Sequence, residues 1–174
     1  MSSGLHFSSI TTFVLDMDGV LTDGTLLLFP DQTTQARKMH IRDGYALQLA
    51  IKKGYKIKII SGSFSEEVKA RLSGLGVKDV SMSVKDKRKI LLEYLEKHQL
   101  RKEEVLYMGD DVPDLEAMKL VGLPCCPKDA ASDILSNSLF ISSYEGGKGC
   151  VREIIENVLR ARGDWDTHSG LRSL

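Results

Sequence analysis

Short apolar or β-branched runs alternate along this chain with longer stretches whose apolar residues recur at three- and four-residue spacing. The first pattern suits strands buried on both faces and the second suits amphipathic helices. The alternation therefore predicts an α/β domain, a doubly wound parallel sheet with helices on both sides. Strands are expected at Thr12 to Leu15, Lys56 to Ile60, Val80 to Met82, Val105 to Met108, Leu123 to Cys125 and Leu139 to Ile141. Helical patterns lie between them, at about Gly44 to Lys53, Ser65 to Leu72, Lys85 to His98, Val112 to Val121, Ala130 to Leu135 and Cys150 to Arg162. Gly54 and Gly122 mark helix ends, and Asp43 and Ser65 mark helix starts.

One segment breaks the alternation. Thr25 to Phe29 is apolar, Pro30-Asp31-Gln32-Thr33 is polar turn chemistry, and Thr34 to Ile41 follows, which reads as a β-hairpin directly after the first strand. No other connection holds enough residues for a cap domain. The expectation is a single domain over residues 1–162 with a hairpin flap at about 25–41, then a mobile C-terminal tail at 163–174.

With 174 residues, 42% of them hydrophobic, the chain can bury one sizeable core but not two. Its 24 basic and 24 acidic residues balance, and no basic stripe tracks along it, which argues against nucleic acid as a partner. No apolar run approaches the roughly 20 residues of a membrane span, and the start lacks a charged segment followed by an apolar one. A soluble, cytoplasmic protein with no membrane partner is expected. Cys125, Cys126 and Cys150 form no Cys-x-x-Cys pair and read as small buried apolar residues.

The chemistry gathers at the carboxyl ends of three expected strands, where open α/β sheets bind ligands. Phe13-Val-Leu runs into Asp16-Met17-Asp18-Gly19, Ile57-Lys-Ile-Ile into Ser61-Gly62-Ser63, and Val105-Leu-Tyr-Met into Gly109-Asp110-Asp111-Val-Pro-Asp114. If these strands are neighbours, five carboxylates and a hydroxyl share one crevice. So many acids would repel one another unless a cation sits among them. An all-oxygen donor set suits a hard ion, and Mg2+ is the usual choice beside phosphate. Two carboxylates flanking one phosphate can divide the work, one attacking phosphorus and one handling protons. Ser61 can donate to a phosphate oxygen, and Gly62 lets backbone approach it. A protein cation is also needed. Lys87 is the candidate, although Lys85, Arg88 and Lys89 are adjacent and spacing alone does not choose between them.

These residues, in this order, resemble the four motifs of the haloacid dehalogenase superfamily: Asp16-Met-Asp-Gly-Val-Leu-Thr-Asp-Gly, Ser61-Gly, Lys87, and Gly109-Asp-Asp-Val-Pro-Asp. The hairpin, His40-Ile-Arg-Asp-Gly and Gly146-Gly-Lys-Gly-Cys-Val-Arg-Glu make the chain similar to the capless 3-deoxy-D-manno-octulosonate 8-phosphate phosphatases. That resemblance implies a Rossmann-like fold and a cytoplasmic, homotetrameric hydrolase of lipopolysaccharide biosynthesis. It implies Asp16 as nucleophile and Asp18 as acid/base. Magnesium would be held by the Asp16 carboxylate, the Asp18 carbonyl and Asp110, with Asp111 and Asp114 in support. It also selects Lys87, by its interval to Gly109. Arg42, Lys148 and Arg152 are the cations in the matching segments, available to a phosphorylated sugar-acid substrate. Many relatives carry Arg directly after Ser-Gly, where this chain has Ser63, so another basic residue has to compensate.

A receiver domain of two-component signalling also forms an aspartyl-phosphate, but it needs its acceptor Asp on a central strand where this chain has Ser61. A non-catalytic assembly module would lack the nucleophile or a metal acid, and neither is missing here.

Overall fold

The computed structural model describes residues 7–30, 35–167 and 170–171. Its main sheet is parallel and has six strands. They are β1 (Thr12–Leu15), β4 (Lys56–Ile60), β5 (Asp79–Ser81), β6 (Val105–Met108), β7 (Leu123–Cys126) and β8 (Phe140–Ile141), in the order β5-β4-β1-β6-β7-β8. The chain moves outward from β1 through β4 to β5, then crosses back to β6 on the other side. That reversal places a switch point beside β1.

Each central strand is buried on both sides because its alternate side chains feed two separate apolar layers. Phe13, Leu15, Ile57, Ile59, Leu106 and Met108 face α1 (Ile41–Lys52), α2 (Glu66–Gly74) and α6 (Cys150–Ala161). Val14, Ile60, Val105 and Tyr107 face α3 (Lys87–Lys97), α4 (Leu115–Met118) and α5 (Ser132–Asn137). This two-sided burial is why β1 and β6 read as nearly continuous apolar runs, whereas β4 carries a buried Lys58 whose Nζ donates to Ser81 Oγ at 2.7 Å. All three cysteines are free and buried.

Several boundaries differ from expectation for identifiable reasons. Helix α1 begins at Ile41 after His40, so Asp43 lies in its first turn and does not cap it. Asp43 instead accepts the backbone N–H of Arg152 at 2.7 Å. It thereby satisfies an orphan donor in the first turn of α6, whose own N-cap, Gly149, has no side chain to offer. The helix expected over Val112 to Val121 is a 3₁₀ turn at Val112–Asp114 followed by the single turn of α4. Pro113 supplies no N–H there. Ser65 does cap α2, accepting from Val68 N–H at 3.3 Å.

The chain beyond 162 is not loose from its start. Asp164 accepts from Tyr55 Oη at 2.6 Å, and Trp165 stacks under the guanidinium of Arg152 at 4.4 Å. An aromatic ring that also lies against Tyr45 is enough to anchor a segment lacking apolar period.

The hairpin is present as β2 (Leu27–Leu28) and β3 (Gln35–Ala36), antiparallel, with Leu27 opposite Ala36. Its expected turn, residues 31–34, lies outside the described residues. Leu26, Leu27, Leu28 and Phe29 are all exposed in the single chain, Leu28 to 69%.

Candidate active site

Because β4 and β6 flank β1, the loops after these three strands share one rim of the sheet. Asp16 prolongs β1, its N–H donating to Met108 O at 3.0 Å. The chain then turns sharply, with Gly19 at φ +85°. That conformation strains any other residue, and a Cβ there would also strike the Asp110 carboxylate. From outside, the loop after β8 buttresses this turn. Gly146 packs directly on the Gly19 carbonyl group, and Gly147 N–H donates to Val20 O at 2.9 Å. The glycine-rich segment thus supports the Asp16–Asp18 turn by backbone contact.

Lys87, the first residue of α3, is drawn inward. Its Nζ lies 2.9 Å from Asp16 Oδ1 and 2.7 Å from Asp114 Oδ1. A cation at a helix N-terminus opposes the helix dipole, and these two carboxylates offset that cost. Burial works against the Lys87 charge, but Asp114 and Asp16 outweigh it and hold its pKa above the ordinary lysine value. Geometry thus selects Lys87 among four neighbouring basic residues. Asp114 is consumed in this role. Its Oδ1 also accepts from Tyr107 Oη at 2.6 Å, and its Oδ2 from Asp110 N–H at 3.3 Å.

Carboxylate oxygens of Asp16, Asp110 and Asp114 lie within 4.8 Å of one another. Burial, then the Asp114 charge, pushes the Asp16 pKa up to about 8 despite Lys87. The same two causes push Asp110 to about 7. One ammonium leaves this cluster under-compensated, and all of its donors are oxygens. The residues present therefore fit a hard divalent cation, with Asp16 and Asp110 the carboxylates free to hold it.

Asp18 is turned another way. Its Oδ1 accepts from Arg37 Nε at 2.8 Å and Thr22 Oγ1 at 3.2 Å, and its Oδ2 from Ser63 Oγ at 2.5 Å. Arg37 Nη2 also reaches Ser63 Oγ at 3.4 Å. The sequence reading missed Arg37. The available signal was the combination of a basic residue on the returning hairpin arm with a hydroxyl, Ser63, in place of a guanidinium. Ser61 Oγ lies 3.2 Å from Ser63 Oγ, which extends the same chain of contacts.

The acid crevice, about 300 Å³, is lined by Asp16, Asp18, Ser61, Gly62, Lys87 and Asp110 among others. Asp111 stands at its exposed edge, where its carboxylate accepts from Val112 N–H at 2.8 Å and caps the turn. Arg42, Lys148 and Arg152 do not join this crevice. They line a separate cavity of about 260 Å³ with His40 and Tyr144. There burial, then Arg42 and Lys148, lowers the His40 pKa. Arg152 is committed to structure, pairing with Glu156 at 2.7 Å and stacking on Trp165.

The family model of the haloacid dehalogenase-like hydrolases matches residues 40–122. The chain is also 31% identical over 162 residues to 3-deoxy-D-manno-octulosonate 8-phosphate phosphatase KdsC of Escherichia coli K12, covering 93% of this chain and 86% of that protein. It belongs to the haloacid dehalogenase-like hydrolases, in the KdsC family. The crystal structure of the Yersinia pestis KdsC-family phosphatase superposes with a TM-score of 0.90 at 28% identity, over 95% of this chain and 89% of that one. That of the Moraxella catarrhalis phosphatase, solved with magnesium ion, phosphate ion and KDO, gives 0.87 at 29% identity, over 91% and 90%. The capless KdsC-family architecture, a parallel sheet with a small hairpin, is thus the one described above. Among the described residues, no helix is long and apolar enough to cross a membrane.

Proposed function

We propose that this chain is a cytoplasmic, magnesium-dependent phosphatase acting on a phosphorylated sugar acid, 3-deoxy-D-manno-octulosonate 8-phosphate, in lipopolysaccharide biosynthesis. The observation that carries the chemistry is the convergence of Asp16, Lys87 and Asp110 in one crevice, with Asp18 beside them on the same turn.

Asp16 attacks phosphorus through one carboxylate oxygen as the bond to the sugar oxygen breaks. Asp18 gives its proton to that departing oxygen, and the free sugar acid leaves. Asp18 then takes a proton from water, whose oxygen attacks the phosphorus of the aspartyl-phosphate and returns Asp16 as a carboxylate with inorganic phosphate. Lys87 offsets the charge that develops on the phosphoryl oxygens, and Ser61 donates to one of them, with the Gly62 backbone close by. Asp16 and Asp110, with the Asp18 carbonyl, would hold a magnesium ion, which would supply further charge neutralisation. Asp114 and Asp111 act in support, Asp114 by anchoring Lys87.

The substrate is supported by relatives about 30% identical that bear this activity in their names, one of them solved with KDO and phosphate. Arg42 and Lys148 are the cations left to meet a carboxylate. Ser63 is the feature that favours a second reading, a phosphatase of a related nonulosonate 9-phosphate. Specificity constants for the octulosonate 8-phosphate, nonulosonate 9-phosphates and hexose phosphates, measured with magnesium, test this. A hexose phosphate ranking first would overturn the substrate, and no turnover of any phosphate ester would overturn the chemistry.

A homotetramer belongs to the same proposal. Leu26, Leu27, Leu28 and Phe29 form a contiguous exposed apolar arm, and a neighbouring subunit is the cover that would also close the open crevice.

A further inference from the structure

Resting on the phosphatase reading, we propose that Arg37, carried on the hairpin's returning arm, is the positioning residue for the acid/base Asp18. Its guanidinium grips both oxygens of that carboxylate, with Nε 2.8 Å from Oδ1 and Nη2 3.5 Å from Oδ2. The Arg37 side chain is only 3% exposed although the hairpin backbone lies at the surface, whereas the Asp18 side chain is 33% exposed. A half-open carboxylate samples rotamers freely unless something holds it. A planar fork is well suited to fix its plane, because two parallel contacts remove rotation that one contact would allow.

Asp18 has to serve two successive transfers from one location, first, with the proton on Oδ2 while Arg37 Nε holds Oδ1, to the departing sugar oxygen, and then, as the carboxylate, from water. Orientation of that kind is worth orders of magnitude in rate. Arg37 does not line the acid crevice, where Asp18 and Ser63 do. It therefore acts through Asp18 rather than on substrate. The contact of Nη2 with Ser63 Oγ, 3.4 Å, and that of Ser63 Oγ with Asp18 Oδ2, 2.5 Å, close a three-membered ring of side chains around the carboxylate. Ser63 is small enough to admit the hairpin's guanidinium from the side, so the Arg37 grip depends on the hydroxyl at position 63. It also makes the hairpin part of the catalytic apparatus.

Leaving-group dependence tests this. A sugar phosphate expels an alkoxide and needs the proton from Asp18. The p-nitrophenyl ester expels a stable phenolate and does not. In Arg37→Gln, kcat/KM for the preferred sugar phosphate should fall at least tenfold more than kcat/KM for p-nitrophenyl phosphate. Arg37→Lys, with one charge but no fork, should fall between parent and Arg37→Gln. The aryl ester also reports that the variant remains folded. Equal losses on both esters, or no loss, would overturn the role of Arg37 while leaving the phosphatase intact. A parent chain inactive on both esters would overturn the phosphatase reading itself, and the Arg37 role with it.

Discussion

The ammonium of Lys87 lies 2.9 Å from the Asp16 oxygen it shares the crevice with, and both side chains are more than nine-tenths buried. A buried pair of this kind is costly to break, because removing one partner strands the other. Lys87→Met leaves Asp16 and Asp114 without their common counter-charge. It should cost about 3–5 kcal/mol of stability in metal-free protein along with most of the turnover. Denaturant unfolding measures the first and a phosphate-release assay the second. An unchanged unfolding midpoint would show that the ammonium is dispensable to the fold.

Asp16→Asn should abolish turnover while keeping the fold, since the amide is nearly isosteric but is no anionic nucleophile. Asp18→Asn should lose about 10²- to 10⁴-fold, the usual contribution of a positioned proton donor. Steady-state kinetics on the purified variants decide both. Substantial activity in Asp16→Asn would exclude the covalent route.

Metal binding should release protons. In the metal-free chain Asp16 and Asp110 are pushed up to about 8 and about 7, so at neutral pH a cation has to displace protons from them. Its affinity should rise with pH up to about 8. Calorimetry of magnesium binding in two buffers of different ionisation enthalpy reads the released protons directly. Asp110→Ala should weaken binding sharply and reduce the proton release. Binding with no proton release would contradict the strained, under-compensated cluster.

Asp43 gives a separate dependence of stability on pH. Burial raises its pKa from 3.8 to about 7, and one of its oxygens, Oδ2, is buried without a partner. A carboxyl that holds its proton more tightly folded than unfolded favours the folded state at low pH. Its contribution is present below about 3.8 and is lost as pH climbs through about 7. Asp43→Asn keeps an acceptor for the Arg152 N–H and cannot ionise. That variant should therefore lose less stability than the parent between pH 4 and 8. Parallel stability curves for the two proteins would rule this out.

Sedimentation should find a homotetramer, and replacing Leu27 and Leu28 by serine should shift it toward smaller species with reduced turnover. A fully active monomer would contradict the role given to the exposed arm.

The sheet was legible in the sequence because short apolar stretches, Phe13 to Leu15, Ile59-Ile60 and Val105 to Met108, end abruptly in Asp16, Ser61 and Gly109. Asp16 and Asp110 were legible for the same reason, since each is the first charged residue after its strand, with Asp18, Asp111 and Asp114 close behind them. Lys87 was only one of four candidates until α3 turned it inward. Arg37 was harder to find, because only the missing guanidinium at Ser63 hinted at it and its position depends on how the hairpin folds back, which no local periodicity encodes. Asp43 misled in the opposite direction: it looks like a cap for the helix it belongs to, but it serves a donor 109 residues away.

The contact of Gly146 with Gly19 and that of Asp43 with Arg152 have a consequence for how the protein is made. The turn that presents the nucleophile, at Gly19, and the Gly146 backbone that buttresses it lie 127 residues apart. Long sequence separation between such contacts slows folding, because the chain ends must meet before the contact rewards them. A nascent chain still missing α6 therefore carries the phosphate-handling residues without the scaffold that shapes them. The active turn is therefore expected to take its final shape only once the segment from Gly146 through α6 has docked on it.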